Sequence, residues 1–199
     1  MTENLTLVVV GKDTAAVAEF FEANREFLGS VELALIANEN IESLAAIGNR
    51  FLESAKTPVV GLVHADTFFK AGALDIFTQT AMEGKVCGIV GRPANGNASK
   101  DHAFHWCFVT PGPVETLDSC SVFLRKDLGL RFDAEKFNGF HCHVQDLCMQ
   151  AHARGIEVVV PTADATHRGI NWAEPDFRAD YAVYQERLNA KWGREVKVT

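Results

Sequence analysis

The strongest constraint on this chain is a pattern that occurs three times before Gly84: a short apolar run, an abrupt polar turn, then a stretch with helical spacing. Residues 5–10 (LTLVVV) end in Gly11, Lys12 and Asp13, after which Val17, Phe20, Phe21, Phe27 and Leu28 recur at helical intervals until Gly29. Residues 31–37 end in Asn38, Glu39 and Asn40, followed by Ile41, Leu44, Ala45, Ile47, Phe51 and Leu52. Residues 59–63 (VVGLV), opened by Pro58, break into His64, Ala65 and Asp66 before a helical pattern over 68–82. Aliphatic and β-branched runs of this kind suit strands buried on both faces. Three strand–turn–helix units in series imply parallel strands joined by right-handed crossovers.

The second half loses this rhythm. Residues 86–90 give a fourth strand, and 91–105 (GRPANGNASKDHAFH) read as a long loop rich in Gly, Asn and charge. Short extended stretches are expected at 106–109, 114–117 and 120–124, a turn-rich connector over 133–139, a helix over 146–154 and a last strand at 157–160 stopped by Pro161. A final helix over 175–192 carries Phe177, Tyr181, Tyr184, Leu188 and Trp192 on one face and is expected to pack against the sheet.

At 199 residues and 47% hydrophobic content, the chain is long enough for one well-buried domain, and no linker or low-complexity tract divides it. The formal net charge of -7, without a Lys/Arg stripe, argues against a nucleic-acid partner. The apolar run near the N-terminus is too short for a signal peptide or a membrane span, which leads us to expect a cytoplasmic protein without a transmembrane segment. Five cysteines, Cys87, Cys107, Cys120, Cys142 and Cys148, contain no CxxC pair, so neither a disulfide framework nor a zinc knuckle is suggested. They read as buried thiols, Cys120 in its strand included.

In open α/β sheets, ligands sit beyond the carboxyl ends of the strands. Those ends carry Lys12 and Asp13, Asn38 and Glu39, and His64 and Asp66. His64 and Asp66, two apart, point to one side if strand geometry persists and can share a cation; Asp66 can equally cap the following helix. No GxGxxG or GxxxxGK[ST] supplies backbone amides for a di- or triphosphate. A nucleotide would therefore need a divalent cation held by Asp66, with His167 as the natural second ligand. His141, Cys142, His143 and Cys148 form the densest cluster of metal-competent side chains, but no spaced partner pair completes a zinc site. Asp118, Asp133 and Asp146 each lie beside a turn or helix start, where capping is the common role.

Residues 114–167 resemble the second half of a family 2 type glycosyltransferase with the GT-A fold, in the branch where an HxD strand replaces DxD and an FHxYDxDLC-like segment precedes the last core helix. The resemblance rests on Asp118-Ser119, Arg131-Phe132-Asp133, Phe140-His141, Asp146-Leu147-Cys148, His167 and the closing Lys191-Trp192-Gly193. It implies an α/β, Rossmann-like mixed sheet, mainly parallel in its N-terminal half, with helices on both faces. It implies one GT-A-like domain over 1–199, with a nucleotide-binding half (1–90), an acceptor and metal half (91–167) and a C-terminal helical tail (168–199). The implied activity is transfer of a sugar from a nucleotide-diphosphate donor to a carbohydrate or other hydroxyl acceptor, with inversion, supported by Mn2+ or Mg2+. Asp66 and His167 would be the metal ligands, and Asn38, Glu39, His64, Asp118, Trp106 and His141 the substrate-binding residues. A homo-oligomer is compatible with this reading.

Two positions depart from the pattern. The first strand ends in Gly11-Lys12-Asp13 instead of PxYN, and Val144 stands where the family carries its catalytic Asp. Either His143 or Asp146 serves as base from a neighbouring position, His143 having a reference pKa near neutrality, or the acceptor is activated differently. Two other readings stay open: a nucleotide-sugar-binding module without turnover, and a metal-dependent nucleotidyltransferase that shares the α/β core.

Overall fold

The computed structural model describes residues 2–40, 42–92, 111–168 and 175–197. In chain order the elements are β1 (Leu5–Gly11), α1 (Thr14–Asn24), β2 (Glu32–Ala37), α2 (Leu44–Ser54), β3 (Val59–His64), β4 (Thr67–Phe69), α3 (Ala73–Met82), β5 (Val86–Cys87) and β6 (Gly91–Arg92). There follow β7 (Gly112–Pro113), β8 (Thr116–Leu117), β9 (Ser121–Arg125), α4 (His143–Ala153), β10 (Val158–Val160), β11 (Ala165–His167) and α5 (Pro175–Trp192).

A seven-stranded sheet runs in the order β2-β1-β3-β9-β5-β10-β7. β1, β2 and β3 are mutually parallel, β5 and β10 run the same way, β9 is inserted antiparallel between β3 and β5, and β7 is an antiparallel edge strand. Alternation along the strands sorts the core into two layers. Val8, Val10, Val60, Leu62, Val122 and Leu124 face α2 and α4, whereas Leu7, Val9, Val59, Val63 and Phe123 face α1 and α3. The fold is thus the expected mixed α/β sheet with helices on both faces. Gly61 in the middle of β3 has a packing reason: a Cβ there would lie 2.5 Å from the Phe123 ring, which stacks on Phe77 at 4.6 Å.

Three elements differ from the sequence expectation, one of them α4, which starts at His143 and not at 146. The helical pattern over 68–82 holds only from Ala73, because Thr67–Phe69 leaves as β4 and pairs antiparallel with β11. The last helix packs not on the sheet but on α4, where Leu188 and Val196 join Phe137, Cys142 and Met149 in a separate cluster. Among the described residues, no helix is long and apolar enough to cross a membrane.

Candidate functional site

The carboxyl end of β3 is fixed from both sides. The His64 amide donates to the Cys120 carbonyl (2.9 Å) and the Ala65 amide to the Val10 carbonyl (3.0 Å). Gly11 permits this closeness, since a Cβ there would meet the Ala65 methyl at 3.0 Å and Val17 at 2.8 Å. The chain then turns through Asp66 into β4, which the buried Asn24 of α1 fastens: its Nδ2 donates to the Thr67 carbonyl (3.1 Å) and its Oδ1 accepts from the Phe69 amide (2.7 Å). Pairing of β4 with β11 sets His167 opposite Thr67, and the Arg168 amide donates to the Asp66 carbonyl (3.0 Å).

This register brings together residues a hundred positions apart. His167 Nε2 lies 3.0 Å from Asp66 Oδ1, and the His64 and His167 rings meet edge to face with centroids 5.7 Å apart. Ligand atoms of His64, Asp66 and His167 all lie within 4.8 Å of one another. A second such set, Asp118, Cys120 and His167, shares His167 with the first.

Burial, then the neighbouring His167, pushes His64 down to about 4, outweighing the nearby Asp66 and Asp118 carboxylates. Its imidazole is neutral at physiological pH, the form that ligates metals. Burial alone would raise Asp66, but the hydrogen bond from His167 and the two histidines together hold its carboxyl below the usual range. His64 as a residue keeps some exposure, yet its Nε2 is buried without a hydrogen-bond partner. A buried imidazole nitrogen beside a carboxylate and a second imidazole fits a divalent cation.

The remaining expected residues divide by environment. Asp118 sits at the rim near His64 and His141, its Oδ1 accepting from the Cys120 amide (2.8 Å). His141 faces the rings of Tyr181 (5.4 Å) and Tyr184 (6.0 Å), and burial lowers its pKa against the pull of Asp180 and Asp118. Asn38 turns its amide inward, donating to the Glu42 carbonyl and accepting from the Glu42 amide, both at 2.8 Å. Glu39 is exposed and accepts from Thr14 Oγ1 (3.2 Å). Trp106 lies outside the described residues.

His143 and Asp146 are fully buried. Burial, with His64 and His141 nearby, pushes His143 down to about 3. Asp146 accepts from Lys191 Nζ, Trp192 Nε1 and Gln150 Nε2, each at 2.9 Å, and Lys191 also reaches Asp133 at 2.7 Å. Val144 is 0% exposed and packs in the sheet core with Leu147, Cys148 and Ala151, so a side chain at this position points away from the rim. The backbone turns sharply just before, at Cys142, whose φ of 61° is left-handed.

Sequence reasoning did not place Cys120 or Tyr181 at the site, nor foresee that Gln145 would accept from Ser119 Oγ (3.0 Å) behind the Asp118 turn. The signal for Cys120 was its spacing, two residues after Asp118, as Asp66 follows His64.

Together the strand order and the polar strand-end cluster define a GT-A-type α/β fold. A variant of Drosophila β1,4-galactosyltransferase 7, solved with manganese, UDP-Gal and xylobiose, is similar at a TM-score of 0.50 over 98% of this chain and 76% of its own, with 9% identity. TarS of S. aureus in complex with UDP is similar at a TM-score of 0.49, with 18% identity, over 95% of this chain and 57% of that one. The galactosyltransferase likeness, at 9% identity, shows the fold alone. No protein-family profile and no curated protein sequence matches the chain.

Proposed function

We propose that this chain is a glycosyltransferase that holds a nucleotide-diphosphate sugar over the end of β3 and passes the sugar to an acceptor hydroxyl with inversion, using one domain over residues 1–199. The observation that carries the reading is the convergence of His64, Asp66 and His167 at a strand end, where ligands of α/β folds gather. Asp66 and His167 would hold Mn2+ or Mg2+, with His64 against them. When bound, the cation supplies Lewis-acid charge compensation for the departing diphosphate, which a chain of net charge -7 without a P-loop needs. The loop of Asn38 and Glu39 would contact the base and ribose, and Asp118, His141 and Trp106 the sugar and acceptor, as the family resemblance implies. The test is thermal stabilisation by UDP, GDP or dTDP with Mn2+, lost in Asp66→Ala; the absence of any nucleotide- and metal-dependent shift would refute the reading.

A nucleotide-sugar-binding module without turnover is the second reading. The burial of Val144, His143 and Asp146 favours it, because it removes from the rim the residues from which the family's base would be drawn. Donor hydrolysis and transfer, assayed on wild type and His143→Ala, separate the two: activity lost with His143 marks an unusual base, and an inactive wild type that still binds donor marks the module.

A further inference from the structure

Of the cations the site could take, Mg2+ suits the donors around His167 least. Mg2+ favours oxygen ligands in near-ideal octahedral geometry and keeps several waters. Here two imidazoles and a carboxylate converge, and a thiol and a second carboxylate share His167 with them. We propose, building on the cation site of the preceding reading, that Cys120 is a ligand thiol of this centre, and that the centre takes a d-block dication of the Zn2+ or Co2+ class in preference to Mg2+.

Cys120 is placed by its backbone. Its amide donates to Asp118 Oδ1 (2.8 Å) and its carbonyl accepts from the His64 amide (2.9 Å), so the residue is locked beside the last residue of β3. Its Sγ lies within 4.8 Å of an Asp118 carboxylate oxygen and a His167 ring nitrogen. Among the described residues no other cysteine joins such a group: Cys87, Cys142 and Cys148 are equally buried but take no part in a cluster of metal-competent side chains. His64, whose Nε2 is buried without a hydrogen-bond partner, belongs to the adjoining set through the same His167. Nitrogen and sulfur donors suit Zn2+ and Co2+, and for such sites affinity rises from Mn2+ to Co2+ and Zn2+. Binding breaks the Cys120 S–H bond, sends its proton to bulk solvent and forms a metal–sulfur bond, with no change of oxidation state.

Chelator-treated protein titrated with CoCl2, without nucleotide, tests this. The expected result is a saturable thiolate-to-cobalt charge-transfer absorption, release of about one proton per ion, and displacement of Co2+ by Zn2+ but not by a roughly 100-fold excess of Mg2+. Cys120→Ser, shown folded by circular dichroism, should bind Co2+ without the charge-transfer band. Asp66→Asn, on a partly exposed turn, should lose saturable binding. A wild type without the band or the proton release, a band that persists in Cys120→Ser, or Mg2+ that competes at equal concentration overturns the proposal. Proton release needs no variant, so it decides even if Cys120→Ser does not fold. Because nucleotide is absent throughout, this outcome is separate from the Mn2+- and nucleotide-dependent shift that tests the transferase reading.

Discussion

Asp66 and Asp146 are both carboxylates at seams between elements distant in sequence, and they are held in opposite ways. Asp146 is 0% exposed and accepts from a lysine, an indole and an amide; it clasps α5 onto α4. Asp66 has a side chain 31% exposed on a turn and His167 at 3.0 Å, with a buried imidazole nitrogen close by. The first is saturated by protein and faces none of the strand ends' ligand space. The second keeps lone pairs available where a ligand of this fold would sit. The family motif points to both, yet only the pattern of satisfied and unsatisfied hydrogen-bonding capacity tells a structural carboxylate from one that can bind.

The harshest test of that contrast is Val144→Asp. If position 144 faced the rim, a carboxylate there would be tolerated. Because it packs among Leu147, Cys148 and Ala151, burying an unpaired charge should cost about 3–5 kcal/mol in urea unfolding. Donor transfer gained at unchanged stability would mean that the start of α4 is placed wrongly.

Next, Asp146→Ala should lose about 2–4 kcal/mol, since it strands the Trp192 N–H and removes a partner of Lys191. Asp66→Ala should change stability by less than about 1 kcal/mol, as expected for a partly exposed pair. Equal losses in chemical denaturation would erase the distinction between the two carboxylates.

Acid should separate the pocket from the clasp. Burial lowers His143 from 6.5 to about 3, so between these values the unfolded chain takes up a proton that the folded chain refuses. His143 alone should therefore make stability fall with falling pH by up to about 1.4 kcal/mol per unit, beside the shares of His64 and His141, and His143→Gln should remove its share. The clasp titrates outside that window. Burial alone would raise Asp133, but the Lys191 hydrogen bond holds it low, so its contribution is complete above 3.8 and is lost as pH falls through its folded value. Burial alone would lower Lys191, but Asp133 and Asp146 raise it, so its contribution is complete below 10.5 and is lost as pH rises through its folded value. Denaturant midpoints measured from pH 7 to 4 should thus move with His143 and not with Lys191.

The first two units were legible because each carries its own punctuation: an apolar run, a residue that caps the helix (Asp13, Ser43), and helical spacing that local packing does not override. The end of β3 as a polar site was legible for the same reason. What lay beyond the sequence was set by tertiary partners. Phe68 and Phe69 suit a helix face and a strand alike, and only the distant 165–167 segment makes them β4. Residues 120–124 read as a strand without revealing that it runs antiparallel between β3 and β5. The apolar face of α5 is visible in Tyr181, Tyr184 and Leu188, but not that its target is α4. Asp146 looked like a cap because the helix was expected to start there; it starts at His143, which places Asp146 inside the first turn and over Lys191.

The most direct test of the account is the melting temperature of wild type, Asp66→Ala and Asp146→Asn with and without Mn2+ and each of UDP, GDP and dTDP. We expect a metal-dependent rise with one nucleotide in wild type, the same rise from a lower baseline in Asp146→Asn, and none in Asp66→Ala. A rise that survives in Asp66→Ala, or no rise in wild type with any of the three nucleotides, would contradict it.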